Sequence, residues 1–108
     1  MSALEMGFRD AEFLVSEANG YRSREEVTVV GGTNGLPAGQ VLEIDTGNYV
    51  AYDGGTVAGI LWGGRTGTGP ATVVVRDAEV NWNHLTVTGT KATVIAGLNA
   101  LGIAVRED

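Results

Sequence analysis

The stretch LPAGQVLEI at residues 36–44 decides the fold, because it joins a Pro-Gly turn to the start of a strand. It is followed closely by YVAYDG at residues 49–54 and VAGIL at residues 57–61. Short apolar runs between glycine-containing turns are typical of β-strands. These residues therefore predict a turn, a strand, a hairpin, and a second strand that begins after an Asp-Gly turn.

The first predicted hairpin pairs residues 41–45 with residues 49–53 across Thr46-Gly47-Asn48. A three-residue connection of this kind needs one left-handed position, which glycine can supply. Because side chains alternate along a strand, Leu42 and Ile44 are expected to face the core together.

The second predicted hairpin pairs residues 57–62 with residues 72–76 across a loop at residues 63–70. The two strands are almost continuously apolar, which predicts that both of their faces are covered. Upstream, VTVV at residues 27–30 is predicted to form a strand because it is rich in β-branched residues. The glycine-rich residues 31–35 after it lack the lysine of a phosphate-binding loop, so a simple turn is expected there.

One helix is predicted near the carboxyl end. Val94, Ile95, Leu98 and Leu101 recur at helical spacing and form one apolar stripe. The helix is expected to be capped by Thr90 and to end at Gly102, with Ile103 packed against Leu98. Gly97 inside the helix predicts a close approach to another backbone, and residues 103–105 predict a final strand.

Composition limits the chain to one domain of 108 residues. Its 17 glycines indicate many tight turns, and with no cysteine it has neither disulfides nor thiolate metal sites. No signal-like start and no run of about 20 apolar residues is present, so we expect a soluble protein made in the cytosol with no membrane partner.

The net charge of −6 argues against a nucleic-acid partner. Proteins that bind the phosphate backbone normally carry a basic stripe, because neutralising phosphates supplies most of the non-specific affinity. The one basic cluster, Arg22-Ser23-Arg24, is followed at once by Glu25 and Glu26. Nucleic acid is therefore not expected to be a direct partner.

Residues 1–25 differ from residues 26–108 in being densely charged and lacking a steady period. Within them lies a short apolar run, EFLVS at residues 12–16. Two interpretations stand: a frayed terminus, or an arm that becomes ordered when it docks on a partner.

Catalytic groups are scarce in the sequence. His84 is the single histidine and lies in a polar stretch, NWNHL, with no companion ligand nearby. Asp77 and Glu79 have the spacing of strand neighbours whose carboxylates share a face, yet Arg76 precedes them and no metal-ligand partner is evident. We therefore predict a protein that is not an enzyme and has no cofactor, metal site or catalytic residue.

Residues 36–61 resemble the middle of the lambda-type head decoration proteins of tailed phages. In that family a Leu-Pro-Ala-Gly turn precedes a Val-Leu strand, and a Val-Ala-(Tyr/Trp)-Asp-Gly turn leads into a Gly-Ile-Leu strand. Residues 13–25, 75–81 and 96–103 also resemble family segments in the same order, so the likeness covers roughly residues 13–106. The turn at residues 53–57 is shorter than the Asp-Gly-rich loop of some relatives, so contacts of that loop are not carried over.

The resemblance implies a mainly β fold of the β-clip kind, with short strands and hairpins, one short C-terminal helix and an extended N-terminal arm. It implies a decoration protein in the virion, bound as homotrimers at three-fold and quasi-three-fold sites on the outer surface of the expanded head. Its partners would be the major capsid protein and other copies of the chain, and it would stabilise the shell against internal DNA pressure. Residues 1–25 would be the capsid-binding arm and residues 26–108 the decoration domain. The arm contacts expected are Phe8, Phe13, Leu14, Val15, Tyr21 and Arg22.

Four aromatic residues keep another function open. Tyr52 and Trp62 lie next to glycine turns and are candidates for the trimer contact, although an intramolecular core would use them equally well. Together with Tyr49 and Trp82 they could instead form the aromatic cluster of a small β-barrel module that binds carbohydrate or another ligand. A hydrolase of unrecognised type is the remaining class.

Overall fold

The computed structural model describes residues 14–17, 23–87 and 89–106. Among these residues lie eight strands, a 3₁₀ turn and one α-helix. In chain order they are β1 (Leu14–Glu17), β2 (Arg24–Val30), β3 (Val41–Asp45), β4 (Asn48–Ala51), β5 (Val57–Leu61), β6 (Thr68–Val74), β7 (Ala78–Asn81), the 3₁₀ turn (Trp82–His84), α1 (Lys91–Ala100) and β8 (Ile103–Arg106). The expectation of a mainly β domain with one short C-terminal helix is confirmed.

Five strands close into a small barrel in the order β2-β4-β3-β5-β6, and β1, β7 and β8 form a separate three-stranded sheet. The longest ladder joins β2 to β6 in antiparallel register, from Arg24 opposite Val74 to Val30 opposite Thr68. The barrel closes where β2 meets β4 in parallel, with Val29 opposite Tyr49. In the second sheet β7 is central, antiparallel to β1 and parallel to β8.

Strand β5 and the end of β6 are buried on both faces, as their continuous apolar character predicted. One cluster of buried residues contains Leu42, Leu61 and Val73. The second cluster takes their chain neighbours Val41, Ile60 and Val74, together with residues of α1, β7 and β8. Because side chains alternate along a strand, neighbouring residues enter opposite cores. This arrangement explains why β5 and the last two residues of β6 contain no polar side chain.

The β3–β4 hairpin is present, but its turn and its core face differ from the prediction. Asp45 pairs with Asn48, so the connection has two residues, and both Thr46 (φ 51°) and Gly47 (φ 88°) are left-handed. Two left-handed residues make the type I′ turn that matches strand twist. Ile44 does not join Leu42 in the core but is 54% exposed. The reason is that the β3–β5 ladder ends at Glu43, so Ile44 lies beyond the strand that would cover it.

The loop predicted at residues 63–70 is shorter than expected, because β6 begins at Thr68. Pro70 lies inside this strand and pairs with Thr28 of β2. On its other side β6 pairs with β5 only at Val73 and Val74 among the described residues. Proline is tolerated at this position because it lies past the end of the β5 ladder, where a missing N–H costs least.

Helix α1 lies where the apolar stripe predicted it, with Val94 and Leu98 buried. Thr90 occupies the N-cap position, but its side chain makes no capping hydrogen bond. Gly102 is left-handed (φ 82°) just past the end, and Leu98 and Ile103 share one core cluster, as expected. The close approach at Gly97 is to a side chain and not to a backbone, since a Cβ there would lie 2.7 Å from Cγ2 of Val57.

We predict that Gly97→Ala lowers the free energy of unfolding. Overpacking against Val57 costs about 1–3 kcal/mol, which exceeds the gain in helix propensity of about 1 kcal/mol. Urea denaturation of Gly97→Ala, Val57→Ala and the double variant measures this, and the penalty should shrink when Val57 is already truncated. Ala96→Gly, at an exposed position of the same helix, reports the propensity difference alone. Stabilisation by Gly97→Ala equal to that difference would contradict the close contact.

Candidate functional site: arm strand, barrel groove and aromatic residues

The turn at residues 36–39 connects the barrel to the segment that carries His84. Gly39 donates a hydrogen bond to the Leu61 carbonyl (2.9 Å), and its own carbonyl accepts one from the Thr86 amide (2.9 Å). A Cβ at Gly39 would lie 2.5 Å from the His84 carbonyl oxygen, and φ there is 88°. Glycine is therefore required by both space and backbone conformation.

His84 ends a 3₁₀ turn and does not lie in an irregular loop. The turn starts after Asn81, whose side-chain oxygen accepts a hydrogen bond from the Asn83 amide (2.9 Å). The backbone of His84 packs on Gly39, which gives this stretch a role in the fold. A short polar side chain at the N-cap position can bond a free amide in the first turn. This explains the polar Asn81 ahead of the 3₁₀ turn that contains the histidine.

The arm residues are described only in part. Phe8, Phe13, Tyr21 and Arg22 lie outside the described residues. Leu14 and Val15 belong to β1, which pairs with β7 from Leu14 opposite Val80 to Glu17 opposite Ala78, with an irregularity after Leu14. Leu14 is partly buried and packs against the larger core cluster. This short piece of the expected arm is thus an edge strand of the second sheet.

Tyr52 and Trp62, the candidates for the trimer contact, have unequal exposure. Tyr52 is only 4% exposed and belongs to the core, which is the intramolecular alternative that the sequence left open for it. Trp62 is partly buried on the same cluster, and the Arg24 guanidinium lies 4.0 Å from its ring centroid. Trp62 therefore keeps surface that a partner can reach, whereas Tyr52 has little.

The four aromatic residues do not form one exposed platform. Tyr52 is buried. The Arg24 guanidinium lies over the ring of Trp62. The Lys91 ammonium lies 5.5 Å from the ring centroid of Trp82. Sugar-binding sites need open aromatic faces on which a ring can stack. The observed packing therefore does not favour the carbohydrate-binding interpretation.

An open groove of about 570 Å³ lies beside the tip of the β3–β4 hairpin. Its walls are mostly apolar, and ionisable groups lie along it. The lining residues are Glu25, Ile44, Tyr49, Thr56, Val57, Ala58, Val75, Arg76, Asp77 and Leu101. The exposed Ile44 is part of this wall, so the groove includes the exposed apolar side chain of the hairpin.

An ion pair between Arg76 and Glu25 crosses between β2 and the end of β6 at this groove. Both side chains are more than two-fifths exposed, so the pair orients the groove wall more than it stabilises the fold. Burial raises the pKa of the Tyr49 hydroxyl above its usual 10.0, the Glu25 carboxylate raises it further, and Arg76 opposes them. Tyr49 is thus a neutral hydrogen-bonding group in the groove at physiological pH.

Glu43 organises the turn between β4 and β5. Its carboxylate accepts hydrogen bonds from the amides of Asp53 (2.7 Å) and Gly55 (3.0 Å). Charged acceptors on backbone amides are among the stronger hydrogen bonds, so this short turn is held in one conformation. Asp53 is therefore a turn residue, as its Asp-Gly sequence predicted.

Asp77 and Glu79 are not neighbours within one strand, as their spacing had suggested. Asp77 precedes β7 in a left-handed conformation (φ 53°), while Glu79 lies within β7 and is 3.9 Å from Arg106. Within residues 14–17, 23–87 and 89–106, no cluster of three or more His, Asp or Glu side chains could hold a metal ion. In the same residues no helix is long and apolar enough to cross a membrane.

Comparison with known families adds the decisive observation. The family model described as bacteriophage lambda head decoration protein D matches residues 3–103. The chain belongs to this family. Among individually curated proteins none matches significantly. Membership makes the chain a phage head decoration protein, a structural component of the virion capsid. The family is structural and is not a family of enzymes.

The groove is the feature that sequence reasoning missed. Its parts come from β2, β3, β4, β5 and the turns after β6 and α1, so no local pattern signals it. The one signal in the sequence was Ile44, which lies two residues before a Thr-Gly turn. An apolar side chain so close to the end of a hairpin is buried only if another strand extends far enough to cover it.

Tyr49 gives this region a measurable pH response. Because folding raises its pKa, the protonated form is favoured in the folded state, and stability falls as pH rises from 10.0 towards the folded pKa. Tyr49→Phe should lose this part of the alkaline decline in the free energy of unfolding. Glu25→Gln should lower the Tyr49 pKa in a titration of tyrosinate absorbance. A decline that is identical in Tyr49→Phe would contradict the assignment.

Proposed function

We propose that this protein is a clamp on the outside of the phage head. It binds as homotrimers at the three-fold and quasi-three-fold sites of the expanded capsid, contacts the major capsid protein, and stabilises the shell against the pressure of packaged DNA. It does so by stoichiometric binding and turns over no substrate. Binding that favours one state of the shell raises that state's stability by mass action.

The observation that carries this proposal is the family match over residues 3–103, which spans both the amino-terminal segment and the barrel domain. The fold is compatible with a passive role. Several of its polar side chains support nearby backbone, such as Glu43 on the turn amides and Asn81 on the 3₁₀ turn. The net charge of −6 favours the outer surface over contact with DNA.

Residues 1–25 act as the capsid-binding arm in this proposal. Phe8, Phe13, Leu14, Val15, Tyr21 and Arg22 are its contact residues. β1 is an edge strand that pairs with β7 on one side, so its other edge faces away from that ladder. Edge strands are the usual place for another chain to add a strand. Three arms that engage together multiply modest contacts into slow dissociation.

A trimer suits such a clamp because a three-fold ring is a closed assembly, which saturates and does not polymerise. Trp62 is our choice for the contact between subunits, since it is partly exposed and tryptophan is enriched among residues that carry binding energy. Tyr52 offers little surface and contributes by supporting the core behind that contact.

The arm is tested by removing residues 1–13, a cut placed ahead of β1 so that the β1–β7 pairing remains. We expect the truncated protein to keep its circular dichroism spectrum and melting temperature but not to cosediment with expanded heads. Heads mixed with full-length protein should release their genome at a higher temperature than bare heads, and heads mixed with the truncated protein should behave as bare heads. Unchanged cosedimentation would reject residues 1–13, with Phe8 and Phe13, as capsid contacts. Equal genome release with and without full-length protein would reject stabilisation.

The subunit contact is tested by comparing Trp62→Ala with Trp82→Ala. Trp82 is the matched control, because it also packs partly buried on the same core cluster beneath a cation. Trp62→Ala should weaken binding to heads about tenfold more, or about 1.4 kcal/mol, at comparable loss of stability. Equal weakening would show that only core packing is involved. Reconstruction of decorated heads should show three copies about each three-fold, and single copies or pairs about a two-fold would contradict the trimer.

A further inference from the structure

The Gly32–Gly35 turn presents an asparagine in the sequence context that is most open to chemical change. Asn34 is followed by Gly35, and both Asn34 and Gly32 are exposed. The Asn34 side chain makes no hydrogen bond to any described residue. Its carboxamide is therefore free to rotate towards the backbone.

The group that would attack this carboxamide is also available. The Gly35 amide closes the turn by donating to the Gly32 carbonyl at 3.3 Å, which is longer than a normal N–H···O bond. Glycine carries no Cβ and adopts a wide range of backbone angles, so its nitrogen is the least hindered of any residue. Gly35 itself is left-handed, with φ 76°.

The other described asparagines lack this combination. Asn48 starts β4 and precedes Tyr49, and Asn99 lies within α1. Asn81 uses its side-chain oxygen as the N-cap of the 3₁₀ turn, and Asn83 lies within that turn, ahead of His84. Each is followed by a residue with a side chain, and each is held by secondary structure. Among the described asparagines, Asn34 is thus the one whose carboxamide is least protected from attack by the next backbone nitrogen.

We propose that Asn34 is a site of spontaneous deamidation in the folded protein. The Gly35 nitrogen loses its proton to solvent and attacks Cγ of Asn34. The new N–Cγ bond closes a five-membered imide, the Cγ–Nδ2 bond breaks, and ammonia leaves after taking up a proton. Water then opens the imide at either carbonyl, which gives aspartate or isoaspartate. Each conversion adds one negative charge, from −6 to −7 per chain.

The isoaspartate form has a structural consequence because the turn is fastened on both sides. Leu36 and Arg65 exchange two backbone hydrogen bonds, of 2.8 and 2.9 Å, and Gly31 donates to the Gly67 carbonyl (2.7 Å). Isoaspartate inserts one methylene, about 1.5 Å of chain, into the main chain two residues before Leu36. The pairing with the neighbouring loop must then shift, so this form is less stable than the aspartate form.

The site also bears on the life of a particle. A protein that stays on an assembled shell is not replaced by new synthesis, so modified copies accumulate with age. If the chain forms the symmetric ring of the proposed function, the same susceptible site is repeated around the axis, and each copy is modified independently. Deamidation at Asn34 would therefore change the surface charge of old particles more than that of new ones.

The test is to incubate the full-length protein at mildly alkaline and mildly acidic pH and follow peptides by mass spectrometry. Cleavage after glutamate isolates residues 27–43, which contain Asn34 but neither Asn48 nor the Asn19-Gly20 pair. We expect this peptide to gain the mass difference between an NH₂ and an OH group, to split into aspartate and isoaspartate forms, and to convert faster at alkaline pH. Conversion should be an order of magnitude faster than at Asn48 in the same sample.

Asn34→Gln is the control, because its longer side chain would have to close a larger and slower ring. It should abolish conversion in the 27–43 peptide and leave the rate at Asn48 unchanged. Asn34→Asp supplies the charge without the isoaspartate linkage and should melt at a higher temperature than the aged protein. Conversion of Asn34 no faster than that of Asn48, with the protein folded throughout, overturns the proposal.

Discussion

The fold depends on burying both faces of the central barrel strands. In β3, β5 and β6, successive residues such as Ile60 and Leu61 enter opposite cores, and both are fully buried. One core fills the barrel, and the other lies between the barrel, helix α1 and the sheet that contains β7. Burial of apolar area stabilises a fold by about 25 cal/mol per Å². A chain of 108 residues therefore gains the most stability when both faces of a strand are buried. A polar side chain at one of these fully buried positions would be left without water.

Close packing at glycines makes this double burial geometrically possible. Gly97 lets α1 approach Val57 of β5, and Gly39 lets the signature turn lie against the His84 carbonyl. At Gly39 the turn also links β5 to the segment after the 3₁₀ turn through backbone hydrogen bonds. The family signature in residues 36–40 is thus explained by backbone contacts that join the two halves of the domain. It carries a structural requirement and no chemistry.

The surface features follow from where the double burial stops. The β3–β5 ladder ends at Glu43, so Ile44 emerges at the hairpin tip and lines a groove with Tyr49 and the Arg76–Glu25 pair. In the second sheet β1, which is part of the proposed arm, remains an edge strand. A structural protein that works by docking needs such surfaces, whereas it needs none of the converging titratable groups of a catalytic site.

The sequence by itself determined the local elements: the β3–β4 hairpin, the apolar strands around Val73, helix α1 with its Gly102 terminus, and the family likeness. These follow from short-range patterns, since turn residues and side-chain periods are set by the nearest few neighbours. Tertiary structure alone decided that Tyr52 is buried while Ile44 is exposed, and that Glu25, Tyr49 and Arg76 meet. Those outcomes depend on where a ladder ends and how the barrel closes. The residues concerned are up to 51 positions apart, as Glu25 and Arg76 are, and no local period encodes that distance.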